Sequence, residues 1–306
     1  MGAKLLSLSR SLNEGHKLHG ALTIMPWIVF GLAAVFFSAI SSLLQRVLMK
    51  NDKSDAYSYS VVFQLLGALV VGLFAVYSGF EMPPVQQYPL NFLLLTVLYG
   101  IGTYCLFKAY RYLEASEITI VTASRVIVTI TSAVILLKEV FDLKQLFGTL
   151  LILLSVVLIS QRLGKIKLNR GIYYALGMAI FYGLAITNDA YLLKHVDIYS
   201  YTAIGFLLPG LFLIVVNPKV LFKLKAFLKG KLFFKMLILD ICYGTSAIFF
   251  YKAIESGANA SQITPILQAT VIITVILAAI FLKERDHLVK KFICAVLVTI
   301  GVILIT

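Results

Sequence analysis

Long apolar segments recur from one end of the chain to the other, and they restrict its fold more than any other feature. A segment of about 20 predominantly apolar residues is long enough to cross the hydrocarbon core of a membrane as a helix. Only 13% of the residues are charged and the mean hydropathy is +0.94, whereas soluble domains are about a quarter charged. The segments therefore predict an all-α, polytopic membrane protein. Its ten predicted transmembrane helices lie at residues 26–49, 57–78, 90–112, 118–137, 143–161, 171–194, 198–216, 232–253, 260–282 and 287–305.

The first 25 residues differ in character, being polar and mixed in charge. They do not resemble a globular domain. They do not resemble a cleavable signal either, because the apolar block that follows is too long for the core of a signal peptide. Two interpretations stay open: residues 1–25 form a polar tail, or the protein begins at Met25, directly before the first block.

Short motifs recur in the two halves of the chain, in the same order and at a nearly constant offset. The matching pairs are Asp55-x-Tyr57-x-Tyr59 with Asp197-x-Tyr199-x-Tyr201, Tyr99-Gly100 with Tyr243-Gly244, Lys108-Ala109 with Lys252-Ala253, and Leu137-Lys138-Glu139 with Leu282-Lys283-Glu284. Each match alone is weak, but the common order makes chance a poor explanation. The chain is predicted to contain two copies of a five-helix unit, at about 26–161 and 171–305.

An odd number of helices in each unit has a consequence for topology. The second unit must enter the membrane from the side opposite to the first, which gives two inverted repeats. Many secondary transporters use this arrangement to build a substrate site at the repeat interface, and they open it alternately to each side of the membrane.

The distribution of basic residues predicts the orientation. Most of the 27 lysines and arginines lie in or beside the connections that follow helices 1, 3, 5, 7 and 9. Basic connections stay in the cytoplasm, so both termini are predicted to lie outside, in a multi-pass protein of a prokaryotic plasma (inner) membrane. The net charge of +13 does not indicate a nucleic-acid partner, because the basic residues are dispersed between apolar blocks.

The closing pattern of each half carries a family resemblance. The second half has Ser261-Gln262-Ile263-Thr264-Pro265, an apolar run, Lys283-Glu284-Arg285 and Gly301; the first has Ser116 to Thr119, Lys138-Glu139 and Gly148, but has Val121 and its neighbours where a proline would be expected. With the five-plus-five layout, the chain resembles the EamA-type transporters of the drug/metabolite transporter superfamily. The resemblance implies a ten-helix transporter of small metabolites, often an exporter coupled to protons or working by exchange. Well-studied relatives look to have both termini in the cytoplasm, which differs from the orientation predicted here.

Two charged residues lie well inside predicted spans, where charge is costly and marks a functional site by default. Arg125 in helix 4 and Asp240 in helix 8 are at similar depths from the same side and belong to different halves. In one interpretation they pair and lock the halves together. In the other, Arg125 binds a substrate carboxylate or phosphate, and Asp240 takes up a proton or a substrate amine.

Uncharged polar side chains within the spans add further candidates. Gln64 and Gln268 can hydrogen-bond either a ligand or another helix, and Tyr99 and Tyr243 either line a site or pack. Asp189, near the outer end of helix 6, is interpreted as a solvated interfacial residue rather than part of an outer gate. The candidate substrate-binding residues are Arg125, Asp240, Gln268, Tyr99, Gln64 and Tyr243.

No catalytic constellation, Walker A sequence or metal-binding motif occurs in the sequence. The prediction is therefore a secondary-active transporter, not an enzyme, without a cofactor or a metal. It is expected to export small organic metabolites, amino-acid-like or otherwise polar or anionic, by alternating access within the lipid bilayer. A coupling proton is among the predicted partners of the transporter, and no oligomer is required. A multidrug exporter is the first alternative, although Arg125 disfavours its cationic substrates; a non-transporting membrane scaffold is the second.

Overall fold

The computed structural model of the chain describes residues 26–50, 55–137, 143–162, 165–166, 169–193, 195–227, 230–256 and 260–305. The polar segment 1–25 and the alternative start at Met25 lie outside this part. The described chain is helical apart from one pair of two-residue strands, β1 (Gln161–Arg162) and β2 (Lys165–Ile166). The all-α prediction is confirmed for these residues.

The helices follow the predicted apolar segments, with two differences. The fourth segment is divided into two helices, and a short helix precedes the eighth. The helices are α1 (Pro26–Met49), α2 (Ala56–Tyr77), α3 (Pro89–Tyr112), α4 (Ala115–Thr122), α5 (Arg125–Leu137), α6 (Leu143–Ser160), α7 (Arg170–Leu192), α8 (Ile198–Val216), α9 (Val220–Phe227), α10 (Lys231–Glu255), α11 (Ala260–Phe281) and α12 (Leu288–Ile305).

Six of the described helices are long and apolar enough to cross a membrane: α1, α2, α3, α7, α8 and α10. The apolar stretches in α6 and α11 are shorter, at Leu146–Ile159 and Ala269–Phe281. Large apolar side chains such as Leu73 and Val215 are exposed on the outside of the bundle, as expected for a surface in contact with lipid tails. Ten crossings of the membrane stay a prediction.

The repeated Asp-x-Tyr motif has a structural cause, because its aspartates cap equivalent helices. Asp55 accepts a hydrogen bond from the backbone N–H of Tyr57 at the start of α2 (3.2 Å). Asp197 accepts one from the N–H of Ser200 at the start of α8 (2.8 Å). A carboxylate at this position satisfies a donor that the helix itself leaves unpaired. The motif therefore marks where the second helix of each half begins.

The division between α4 and α5 follows a series of hydroxyl side chains that bond to backbone carbonyls. Thr122 donates to the carbonyl of Ile118 (2.8 Å), and Ser124 donates to that of Val121 (2.7 Å). Such bonds compete with the helical ladder and bend helices. The apolar pattern alone does not reveal this break, which makes Arg125 the first residue of α5.

The two halves are intertwined with inverted directions. The equivalent helices α2 and α8 pack antiparallel: Tyr57 donates to the carbonyl of Leu213 (2.5 Å) at one end, and the rings of Phe74 and Tyr199 meet at the other (4.9 Å). Two further pairs of contacts are exchanged counterparts: α3 on α7 with α10 on α1, and α5 on α7 with α11 on α1. These contacts are consistent with two copies of one helical unit.

Candidate functional site

A cavity of about 140 Å³ lies where the two halves meet. Helices α2 and α3 of the first half and α7, α8 and α10 of the second contribute to its wall. The lining residues are Gln64, Leu95, Tyr99, Tyr182, Asp189, Tyr201, Thr202, Gly205, Phe206, Tyr243, Ala247 and Tyr251. Tyrosine is the commonest residue among them.

Asp189 is the polar centre of the cavity. One carboxylate oxygen accepts a hydrogen bond from the hydroxyl of Tyr99 (2.5 Å), and the other accepts one from the hydroxyl of Tyr201 (2.6 Å). Hydrogen bonds to an ionised acceptor are short and strong. The three residues come from α3, α7 and α8, so the carboxylate joins both halves at the cavity wall.

A second polar chain crosses from α2 to α7. The amide nitrogen of Gln64 donates to the hydroxyl of Thr103 (2.6 Å), which lies 2.8 Å from the hydroxyl of Tyr182. The Oε1 atom of Gln64 is buried and has no hydrogen-bond partner among the described residues. An unsatisfied acceptor in a cavity wall is a group that a ligand donor can satisfy.

Aromatic rings form most of the remaining wall. The rings of Tyr99 and Tyr182 meet edge to face at 5.0 Å, and Phe206 meets Tyr243 at 5.7 Å. No lysine, arginine or glutamate is among the lining residues of the described chain, so Asp189 is the one acidic side chain in that lining. The cavity therefore combines a single carboxyl group with aromatic faces.

Three of the six predicted site residues line this cavity: Gln64, Tyr99 and Tyr243. The two tyrosines occupy equivalent positions on α3 and α10, so the repeated Tyr-Gly pair supplies one cavity-lining residue from each half. Gln268 is in α11, but its side chain lies outside the described part of the structure.

Arg125 and Asp240 do not line the cavity, and no ion pair joins these two described residues. The interpretation that they pair to lock the halves is not what the structure shows. Asp240 is fully buried, and neither of its carboxylate oxygens has a hydrogen-bond partner among the described side chains.

A network of ion pairs holds the end of the molecule that carries the basic connections. Arg46 pairs with Glu284 (3.2 Å) and donates to the carbonyl of Tyr110 (2.7 Å). Glu284 also accepts from the backbone N–H of Ala115 (3.1 Å), and Lys291 pairs with Glu114. The network ties α1, α3 and α4 to the connection between α11 and α12.

Burial raises the pKa of Glu284, which lies in the connection between α11 and α12. The neighbouring charge of Glu114 raises it further, and the hydrogen bond and charge of Arg46 oppose both effects. The contacts of Arg46 hold its side chain inside the protein, whereas an arginine at a helix end commonly extends its charged group to the membrane interface.

A wider depression of about 610 Å³ lies beside α6 and α12, near Leu158 and Cys294. It is open to the outside, and its side chains include Val289 and Ile293, which are exposed. None of the described residues that line it is a buried polar side chain. The smaller cavity between the halves is therefore the better candidate site, because it combines enclosure with convergent polar side chains.

Comparison with known proteins agrees with this architecture. The profile of the family described as "EamA-like transporter family" matches twice, at residues 25–161 and 169–306. The chain belongs to this family. It is therefore a multi-pass membrane transporter with two EamA repeats. No curated protein matches the chain. One crystal structure similar to this EamA-like transporter has a TM-score of 0.63 and 14% sequence identity, over 92% of this chain and 96% of the other; this likeness shows the fold alone.

Two residues that line the cavity, Asp189 and Tyr201, were not among the site residues predicted from the sequence. Asp189 was expected to be solvated because it is close to a helix end, and Tyr201 was noticed only as part of a repeat. One signal was available in the sequence. Asp189 lies inside the sixth apolar segment, and an acid within a span is a functional candidate even near an interface. The tyrosine partners come from other helices, so their role needed the fold.

Proposed function

We propose that the chain is a secondary-active transporter that binds small organic molecules in the cavity between its halves. Movement of the halves relative to each other would open this cavity alternately to the two sides of the membrane. The observation that carries the proposal is the Asp189 carboxylate, held by Tyr99 and Tyr201 at the boundary between the repeats.

The same proposal includes ten crossings as two inverted five-helix repeats, at about 26–161 and 171–305. The antiparallel packing of the equivalent helices α2 and α8 supports the inversion. The basic connections support a cytoplasmic location for the end where Arg46 pairs with Glu284, with both termini outside. Export as the direction of transport rests on the family resemblance.

The charge of the lining indicates the substrate class. The sequence disfavoured cations because Arg125 was expected in the cavity, but the charged residue found in the lining is Asp189. An ammonium group can pair with this carboxylate and lie over tyrosine faces. We therefore propose amine-bearing substrates, either amino-acid-like or simply cationic. The second class keeps a multidrug exporter as a candidate function.

The volume of the cavity limits the size of the substrate group that can bind in this conformation. A cavity of about 150 Å³ is large enough for benzene, and the cavity here is about 140 Å³. Benzylamine combines one such ring with one ammonium group, so it is a suitable probe.

Counterflow into proteoliposomes tests the proposal. Vesicles loaded with unlabelled benzylamine are expected to take up labelled benzylamine when they contain the wild type, and benzoate is expected to give no uptake. Asp189→Asn should abolish the uptake. Asp197→Asn is the matched control, because asparagine caps a helix as well as aspartate does and Asp197 is exposed. Equal uptake by wild type and Asp189→Asn would contradict the proposal.

A further inference from the structure

A strongly basic segment leads from the end of α8 through α9 to the start of α10. No aspartate or glutamate occurs between Asp197 and Asp240, whereas this stretch contains six lysines. Lys223 pairs with Asp55 (2.7 Å). Four other lysines are exposed and form no ion pair with a described residue: Lys219, Lys225, Lys231 and Lys235. The described part of this segment therefore carries four positive charges that no nearby acid compensates.

Helix α9 is anchored to the bundle along one face. Val220 packs with Val61 of α2 and Leu213 of α8. At the other end of α9, the ring of Phe227 meets that of Tyr59 edge to face at 4.8 Å. The helix lies directly beyond the last turn of α8, which is long and apolar enough to cross a membrane. These contacts therefore hold α9 where the chain leaves the hydrocarbon core.

The opposite face of α9 combines apolar and basic side chains. Leu221 is 49% exposed and Phe222 is 79% exposed. Lys225 follows Leu221 by four residues and Phe222 by three, so the three side chains are neighbours on the helix surface. A lysine in such surroundings lays its aliphatic chain along the apolar surface and extends its ammonium group to the level of the lipid headgroups. Exposed apolar side chains beside lysine are typical of a helix at the membrane interface.

The start of α10 adds two charges to the same region. Lys231 and Lys235 are four residues apart, which places them on one face of the helix, and like charges at this spacing repel each other. The first turn of α10 contains no acidic residue that would offset this repulsion. An anion that contacts both ammonium groups would relieve it.

We propose that this region binds the headgroups of anionic phospholipids of the surrounding bilayer. The binding surface, called the α9 surface, consists of Lys219, Leu221, Phe222, Lys225, Lys231 and Lys235. The lipid phosphate pairs with the ammonium groups, and the acyl chains contact the two exposed apolar side chains. A free phosphate ion would use the lysines alone, so the apolar side chains favour a lipid. The proposal does not depend on the substrate site at Asp189.

Quenching of tryptophan fluorescence by brominated lipids tests the location of the site. The single tryptophan, Trp27, packs with Ala253 near the end of α10, at the opposite end of that helix from the α9 surface. A reporter protein with Trp27→Phe and Phe222→Trp moves the probe to the α9 surface. In phosphatidylcholine bilayers, brominated phosphatidylglycerol should quench the reporter more strongly than brominated phosphatidylcholine does. Trp27 of the wild type should show no such preference. Equal quenching of the reporter by both lipids, or the same preference at Trp27, would overturn the proposal.

Charge variants of the reporter protein test the role of the lysines. Lys225→Gln should lower the association constant for phosphatidylglycerol, relative to phosphatidylcholine, by about fivefold, the contribution of one lysine near an anionic surface. Lys225→Arg should retain the preference because it keeps the charge. Lys144→Gln is the matched control: this lysine is exposed at the start of α6, remote from α9, and its removal should leave the preference unchanged. An unchanged preference in Lys225→Gln, or an equal loss in Lys144→Gln, would overturn the proposal.

Discussion

The substitution Gly183→Ala on α7 tests how closely helices from the two halves approach each other. A Cβ atom at this position would lie 2.6 Å from the Cβ of Val128 and 2.7 Å from the backbone oxygen of Arg125 on α5. The carbonyl of Gly183 also accepts a hydrogen bond from Thr129 (3.1 Å). Gly183→Ala must therefore push the first turn of α5 away from α7.

The size of the effect follows from a comparison with Gly177 on the same helix. A Cβ atom at Gly177 would lie 3.4 Å from the sulfur of Cys105, an ordinary contact. Alanine is favoured over glycine in a helix by about 1 kcal/mol, and this gain is common to both positions. Overpacking at Gly183 costs about 1–3 kcal/mol. The two variants should thus differ by about 1–3 kcal/mol in the free energy of unfolding, with Gly177→Ala the more stable.

Steric trapping in bicelles measures this free energy for membrane proteins. Gly177→Ala is expected to be as stable as the wild type or more stable, and Gly183→Ala less stable than Gly177→Ala. Equal stabilities for the two variants would refute the close approach of α5 and α7.

Three further changes test separate parts of the account. Asp55→Ala should lower the free energy of unfolding by about 0.5–2 kcal/mol through loss of the α2 cap, and Asp55→Asn should restore most of it, as measured by steric trapping. Tyr99→Phe should lower the same quantity by about 1.5–3 kcal/mol, because it removes one hydrogen bond to a charged group. For Glu284, the raised pKa gives the sign of a pH effect: its contribution to stability is present below the ordinary value of 4.5 and is lost as the pH rises through the raised value. Glu284→Gln should flatten the pH dependence of unfolding in that range.

Each of these expectations has a definite contrary result. Equal loss of stability in Asp55→Ala and Asp55→Asn would show that the charge of Asp55, rather than its cap, matters. No change in Tyr99→Phe would mean that its bond to Asp189 contributes nothing to the fold. An unchanged pH profile for Glu284→Gln would place the titration on another group.

The helical fold was largely predictable because its cause is local. Apolar runs such as 57–78 specify a helix in lipid by length alone, and the recurring Asp-x-Tyr motif reflects a cap at the start of α2 and of α8. The break before Arg125 was missed because hydroxyl-to-carbonyl bonding leaves the hydropathy pattern unchanged. Short-range chemistry was therefore visible in the sequence only where it altered polarity or spacing.

The candidate site was predictable in part, and the reason for the failures is geometric. Tyr99 and Tyr243, which line the cavity, were predicted because tyrosine rings are amphipathic, and the repeat places the two at equivalent positions. Depth in the membrane suggested that Arg125 and Asp240 meet, but depth does not fix which helices are neighbours or which side of a helix a residue occupies. In the structure α5 packs mainly on α7, and α10 packs mainly on α1. Only the tertiary arrangement brings Asp189 to the tyrosines.

The central claim is that the Asp189 carboxylate recognises a substrate ammonium group. Titration calorimetry with benzylamine and benzyl alcohol, on the wild type and on Asp189→Asn, tests it as a double cycle. Close charge pairs at interfaces couple by about 1.5 kcal/mol or more, so the wild type should prefer benzylamine by at least about tenfold, and Asp189→Asn should show no preference. An equal preference in both proteins would contradict the claim.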